Sequence, residues 1–157
     1  MVARGDADFG LNFIGSQEPE IDFQPLALER FVAACRRDHP LARRRRITWA
    51  EMAEHDVIAV SKNSGNRLLL DQALAGAPRR PEAIYEAEHV TTLLGLVEAG
   101  LGVAAVPSLA MPGKDHPLLV SVPLAEPEVT RQLGLIRKRG RPLSPSAQQL
   151  YDFFLEM

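Results

Sequence analysis

Residues 95–107 read GLVEAGLGVAAVP, a stretch that joins a helix end to a buried strand through two closely spaced glycines. Apolar residues leading into it recur at the i, i+3, i+4 and i+7 spacing of one helix face, which predicts a helix over residues 89–99. Gly100 ends this helix, and Val103 begins a short apolar strand that Pro107 ends. A helix that leads directly into an apolar strand is typical of an α/β fold.

The segments on both sides continue this alternation of apolar runs and helical patterns. Strands are predicted over residues 8–13, 23–28, 29–35, 56–60, 83–87, 118–124 and 130–139. Helices are predicted over residues 48–54 and 67–75 and after Ser144; the first of them begins at a capping box formed by Thr48 and Glu51. The continuous apolar residues 31–34 indicate a sheet covered on both faces, so we expect an α/β fold with mostly parallel strands.

Composition restricts the class of protein. The chain has 157 residues, 46% of them hydrophobic, which is enough for a core and excludes a disordered chain. Its formal net charge of -2 gives no overall positive field for nucleic acid. No run approaches the ~20 apolar residues of a membrane span, and the first residues lack the apolar segment of a signal peptide. We therefore expect a soluble, cytoplasmic protein that makes no membrane contact.

The sequence contains no recognisable catalytic or metal-binding pattern. The four histidines, His39, His55, His89 and His116, have no metal-ligand spacing, and the single cysteine, Cys35, lies in an apolar strand. The sequence has no nucleophile elbow and no phosphate-binding glycine loop. We predict that the chain is not an enzyme and that it uses no metal and no cofactor.

Residues 43–46 are four consecutive arginines, and Arg36 and Arg37 lie shortly before them. Such a run is either a phosphate-binding patch or a solvated loop between a strand and a helix. No aromatic residue interrupts the run and the chain is acidic overall, which favours the solvated loop.

The turn SKNSGN at residues 61–66 follows an apolar strand and begins a helix. It brings hydroxyl and amide groups to a helix N-terminus, where unpaired N–H groups and the helix dipole attract anions. An ordinary helix cap explains the same residues equally well. The start of the next long helix, with His89, Thr91 and Thr92, presents the same two alternatives.

Several stretches in a particular order carry a resemblance to a known family. They are GDADFGL at 5–11, ERFV at 29–32, HPLA at 39–42, ITW at 47–49, GLVEAGLGVAAVP at 95–107 and LSP at 143–145. In this order and spacing the chain resembles the effector-binding domain of LysR-type transcriptional regulators over essentially its whole length.

The resemblance implies a two-lobed fold like that of type 2 periplasmic binding proteins, in which a small effector binds in the cleft. Lobe I is expected at about 1–41 plus 131–157, and lobe II at about 42–130. Residues 29–37 and 130–139 are expected to be the two crossing strands. Lobe I is expected to be incomplete at its N-terminus, and no DNA-binding domain is expected within the chain.

The resemblance also implies which residues line the effector site. They are Asn12, Phe13 and Arg30 from lobe I, and Ser61, Asn63, Ser64, Gly65, His89, Val90 and Thr91 from lobe II. Effectors in this family are often small carboxylates, which Arg30 and the helix N-terminus at Ser64 suit by charge and N–H donation. Arg30 alternatively pairs with Glu29 or another acid.

The function that follows is the ligand-sensing module of a LysR-type regulator. The effector is expected to be small and anionic, and to alter DNA binding through a winged helix-turn-helix that this chain lacks. The full-length protein is expected to be a homo-oligomer. Two alternatives stay open: a transporter's solute-binding protein of the same fold, and a non-functional or dominant truncated remnant.

Overall fold

The computed structural model describes residues 1–13 and 18–156, which fall into two units. Unit 1 comprises Met1–Glu29 and Arg131–Met157, and unit 2 comprises Arg30–Thr130. Residues 14–17, which follow the strand predicted over residues 8–13, lie outside the described residues.

Strands and helices follow one another along most of the described chain. The strands are β1 (Phe9–Phe13), β2 (Ile21–Arg36), β3 (Ile47–Thr48), β4 (Val57–Val60), β5 (Ala83–Ala87), β6 (Val103–Pro107), β7 (Leu119–Ala125) and β8 (Thr130–Lys138). The α-helices are α1 (Trp49–Met52), α2 (Gly65–Ala73), α3 (Val90–Glu98) and α4 (Pro145–Leu155). Short 3-10 helices occupy Pro40–Arg43 and Ser108–Ala110.

Strand β2 differs from the sequence prediction, which divided it into two strands at Leu28. The backbone stays extended from Ile21 to Arg36, and what changes along it is burial. Its first half is exposed or half-buried, whereas the five residues from Phe31 to Cys35 are all buried. The change of side-chain pattern that suggested a break is therefore a change of environment within one strand.

The boundary between the units also differs from the predicted boundary near residue 41. It falls between Glu29 and Arg30, within β2. Residues 31–36 belong to unit 2 because they pair with β6 on one side and with β7 on the other.

Unit 1 is built on strands β1, β8 and β2, in that order. β1 pairs with β8 antiparallel, with Phe9 opposite Arg137 and Phe13 opposite Leu133. Helix α4 packs on this sheet, where the Tyr151 ring meets the Phe9 ring edge to face at 5.4 Å. The antiparallel pairing corrects the expectation of mostly parallel strands, since the alternation of strands and helices does not determine strand direction.

Unit 2 is a mixed sheet in the order β2-β6-β4-β5. β4 runs parallel to β5 and β6, whereas β2 is antiparallel to β6 and to β7. Phe31 and Cys35 contribute to one apolar cluster around Trp49, and Val32 and Ala34 contribute to another around Leu93. The sheet is thus covered on both faces, which confirms the interpretation of the continuous apolar run.

Helix α1 begins at the predicted capping box. The Glu51 N–H donates to Thr48 Oγ1 at 3.1 Å, and the Thr48 N–H donates to Glu51 Oε2 at 2.8 Å. Ser144 caps α4 similarly, accepting from the Ala147 N–H at 3.3 Å. Both starts are predictable from sequence because donor and acceptor lie three residues apart.

Gly102, within the GLVEAGLGVAAVP stretch of residues 95–107, is expected to tolerate no side chain. A Cβ there would lie 2.5 Å from the carbonyl oxygen of Asp56, which is backbone and has little room to move. We expect Gly102→Ala to lower the free energy of unfolding by about 1–3 kcal/mol. Chemical denaturation followed by circular dichroism measures this change.

Gly95 is the matched control within the same stretch. It lies inside α3, and a Cβ there would meet nothing within 4 Å. Gly95→Ala is expected to raise the free energy of unfolding by about 0.5–1 kcal/mol, because alanine loses less backbone entropy in a helix. Equal effects at the two positions would contradict the steric explanation.

Candidate functional site

Two polar turns lie side by side at the carboxyl edge of the parallel strands in unit 2. Val60 and Ala87, the last residues of β4 and β5, are register partners. The N–H of Ser61 donates to the carbonyl oxygen of Ala87 at 2.9 Å. The helices that follow, α2 and α3, therefore begin at the same edge, where open α/β sheets commonly bind ligands.

The first turn carries four of the predicted site residues, Ser61, Asn63, Ser64 and Gly65. The Ser64 N–H donates to the Ser61 carbonyl oxygen at 3.0 Å, which closes the turn. Ser64 Oγ accepts from the Asn66 N–H at 3.3 Å and so caps α2. A hydroxyl that accepts one hydrogen bond still has its own hydrogen to donate, so capping and ligand binding are compatible.

The second turn carries His89, Val90 and Thr91 at the start of α3. His89 has an extended backbone, and its imidazole is exposed and makes no capping hydrogen bond to the helix. The first N–H groups of a helix lack partners within it, so this end presents donors to an anion. Thr91 is exposed and Val90 is half-buried at this end.

Arg67, which the sequence does not single out, links the first turn of α2 to β4 and β5. Its guanidinium lies 3.1 Å from Asp71, one helical turn along α2, and 3.5 Å from Glu86 on β5. It also donates to the Val60 carbonyl oxygen at 3.4 Å. The i,i+4 spacing of Arg67 and Asp71 is visible in the sequence, but the contacts to β4 and β5 depend on the tertiary fold.

Unit 1 holds the predicted residues Asn12 and Phe13 at the end of β1. The exposed Asn12 side chain accepts from the Phe13 N–H at 2.8 Å. The Arg131 guanidinium lies over the Phe13 ring, 4.7 Å from its centroid. Arg131 also donates to Glu29 at 2.8 Å, and the Glu29 side chain is only 1% exposed.

Arg30, the first residue of unit 2, lies 3.8 Å from Glu128, and both side chains are 57% exposed. Of the two partners considered from sequence, it is near another acid rather than Glu29. At that distance, on a surface, the pair contributes little to stability. The guanidinium stays accessible to a ligand.

Among the described residues, the cysteine and histidine side chains outside these turns are not arranged for catalysis or metal binding. Burial raises the pKa of the Cys35 thiol to about 11, so at neutral pH it is protonated and a poor nucleophile. The centroids of the His39 and His55 rings lie 4.8 Å apart. Burial, together with the nearby His55, lowers the pKa of His39. Within residues 1–13 and 18–156, no three metal-ligating side chains converge.

A cavity of about 50 Å³ lies elsewhere in unit 2, beneath α2. Trp49, Met52, Leu70 and Leu74 form its apolar part, and Arg67 borders it. None of the predicted site residues lines it. An engineered cavity that holds benzene is about three times larger, so this cavity is too small for a ligand of that size.

The helices are short relative to a bilayer. Of those within the described residues, none is long and apolar enough to cross a membrane.

Comparisons with known proteins identify the domain. The family described as the LysR substrate binding domain matches residues 1–157. The uncharacterized HTH-type transcriptional regulator YbhD of Escherichia coli is 44% identical over 156 residues, which are 99% of this chain and 49% of that protein. YfeR of Shigella flexneri, also an uncharacterized HTH-type transcriptional regulator, is 32% identical over 151 residues, 96% of this chain and 49% of that protein. The chain spans about half the length of these relatives.

A solved structure agrees with these matches. The effector binding domain of QuiR in complex with shikimate superposes with a TM-score of 0.81 at 25% identity, covering 99% of this chain and 73% of that one. The fold is therefore that of a type 2 periplasmic-binding-protein-like domain. The chain belongs to the LysR substrate-binding domain family. Both of these relatives are named as HTH-type transcriptional regulators.

Proposed function

We propose that the chain senses a small anionic effector and that, in the whole protein, this changes DNA binding through a winged helix-turn-helix. The observation that carries the proposal is the hydrogen bond from Ser61 to Ala87, which sets the N-termini of α2 and α3 next to each other. Two helix N-termini with a serine hydroxyl and an exposed imidazole form a site for a carboxylate. The complex of QuiR with shikimate, itself a carboxylate, supports this chemistry.

The proposed site residues in unit 2 are Ser61, Asn63, Ser64, Gly65, His89, Val90 and Thr91, together with Arg30. Asn12 and Phe13 of unit 1 belong to the same proposal. Arg67 acts as a positioning residue, since its contacts hold the first turn of α2 against β4 and β5. The whole regulator is proposed to be a homo-oligomer, to contain the DNA-binding domain and to act in the cytoplasm.

Binding of carboxylates is tested by a thermal-shift screen of small acids, followed by calorimetry of those that bind. Shikimate and its neutral methyl ester are a matched pair in that screen. We expect acids to raise the melting temperature and their esters to bind at least tenfold more weakly, because the site recognises charge. Equal binding of an acid and its ester would contradict an anionic effector.

Ser64→Ala is expected to weaken binding of the acid about tenfold or more, because a hydrogen bond to a charged group is lost. Ser144→Ala is the matched control, since Ser144 also caps a helix, α4 in unit 1, at the same 3.3 Å, although it accepts from the N–H three residues on and Ser64 from the N–H two residues on. Both substitutions remove a helix cap and about 1 kcal/mol of stability. Calorimetry should show weaker binding only for Ser64→Ala; an equal loss in both variants would assign Ser64 to capping alone.

A further inference from the structure

The loop of residues 43–46, called the basic loop below, has an unusual charge balance in the folded chain. All four of its arginines are exposed. Arg44 pairs with Glu51 at 2.6 Å, whereas Arg43, Arg45 and Arg46 form no ion pair with any described residue. The sequence alone could not distinguish such a loop from one whose arginines are neutralised by neighbours.

The carboxylates nearest to the basic loop in sequence all form ion pairs with other arginines or with Arg44. Asp38, Glu51 and Glu54 are the acidic residues between positions 38 and 54. Asp38 pairs with Arg36 at 2.8 Å, Glu51 with Arg44, and Glu54 with Arg79 at 3.4 Å. The three remaining guanidiniums therefore carry a local excess of positive charge on a chain with a net charge of -2.

The basic loop is also held in place. Glu51 binds both Arg44 and the Thr48 N–H, so the carboxylate that caps α1 also holds the middle of the loop. The Thr48 N–H and the Arg44 guanidinium lower the pKa of Glu51, which keeps it charged at neutral pH. Arg44 has an extended backbone, and Arg45 and Arg46 follow it before β3 begins at Ile47.

We propose that the basic loop contacts the phosphate backbone of duplex DNA through Arg43, Arg45 and Arg46. Four residues span at most about 14 Å even when fully extended, and Arg43 ends a 3-10 helix, so the basic loop covers a shorter distance. Duplex DNA carries about one negative charge per 1.7 Å of axis, so several phosphates fall within that span. Guanidinium groups match phosphate oxygens by bidentate hydrogen bonding, and such contacts carry no sequence information.

The surroundings of the loop favour a duplex over a single strand. Proteins that hold single strands stack the bases on aromatic side chains. Residues 36–48 contain no Phe, Tyr or Trp, and Trp49 is buried with its indole N–H donated to the Pro127 carbonyl oxygen at 2.9 Å. The contact is additional to effector binding, and its residues are not among those of the effector site.

Fluorescence anisotropy of this chain with a labelled duplex of random sequence tests the proposal. Three phosphate contacts predict a slope of log K against log salt of about -2.7, or roughly a 40-fold loss of affinity between 50 and 200 mM salt. Arg43→Gln, Arg45→Gln and Arg46→Gln together should abolish this binding and its salt dependence. Arg4→Gln, Arg139→Gln and Arg141→Gln in unit 1 change the net charge equally and should leave binding intact.

Each outcome decides for or against the contact. Loss of binding in the basic-loop variant alone, with circular dichroism unchanged, supports it. An equal loss in both variants would show that net charge alone matters, and no salt-dependent binding would show that the loop is only solvated; both overturn the proposal. Binding to polyglutamate as tight as binding to duplex DNA would overturn it in favour of an acidic protein partner.

Discussion

Arg131→Ala is expected to lower the free energy of unfolding by about 3–5 kcal/mol, because it removes the ion-pair partner of a buried carboxylate. The Glu29 side chain is 1% exposed and receives the Arg131 guanidinium at 2.8 Å. The substitution also removes the guanidinium from the Phe13 ring. Urea denaturation followed by far-ultraviolet circular dichroism measures the change.

Arg30→Ala is the matched control for this prediction, since Arg30 follows Glu29 directly in β2. Its guanidinium lies 3.8 Å from Glu128 at the surface, where an ion pair contributes no more than about 1 kcal/mol. Replacing Glu29 and Arg131 together by methionine is expected to restore most of the stability, because no buried charge then remains. Equal effects of the two alanine substitutions would contradict a buried ion pair.

Trp49→Ala is expected to lower the free energy of unfolding by about 3–5 kcal/mol, because it removes the largest buried side chain among the described residues. Trp49 is 2% exposed and lies in the apolar cluster on one face of the unit 2 sheet. Trp49→Phe keeps most of the buried ring but loses the hydrogen bond to the Pro127 carbonyl oxygen. We expect Trp49→Phe to lower the free energy of unfolding by about 1–3 kcal/mol, because the buried carbonyl oxygen loses its hydrogen-bond donor.

Tyr85→Ala is the control for the loss of an aromatic side chain in the same unit. Tyr85 lies on β5 and is 47% exposed. A substitution on such a surface changes stability by no more than about 0.5 kcal/mol. The same circular dichroism measurement serves for both residues, since it does not depend on tryptophan fluorescence. An equal loss of unfolding free energy in Tyr85→Ala and Trp49→Ala would contradict the conclusion that Trp49 belongs to the core and Tyr85 to the surface.

The sequence predicts the two helix starts of the candidate site, but it does not predict that they are adjacent. The helix starts at Ser64 and His89 follow from local patterns, since the residues that begin a helix are neighbours in sequence, although only Ser64 makes a side-chain cap. That the two starts are adjacent follows from the register of β4 with β5, which joins Ser61 to Ala87. Register depends on packing of the whole sheet, so the sequence pattern could only suggest it.

The sequence likewise does not predict which oppositely charged residues form ion pairs. The positions of Arg30 and Glu29 in sequence made either a ligand role or an ion pair reasonable for Arg30. The partner of Glu29 is Arg131, 102 positions away, because β8 brings it beside β2. The pairing states of the four arginines in the basic loop likewise depend on where Glu51 and its neighbours lie in the fold.

Four features follow from the sequence without the structure: the α/β class, the family resemblance, the capped helix starts and the sheet covered on both faces. These features depend on periodicity and on hydrogen bonds between residues two to four positions apart, which are visible along the chain. The structure was needed to establish the mixed strand directions, the continuity of β2 and the partner of Glu29. Those features depend on contacts between distant segments, whose free energies are settled by packing and not by local pattern.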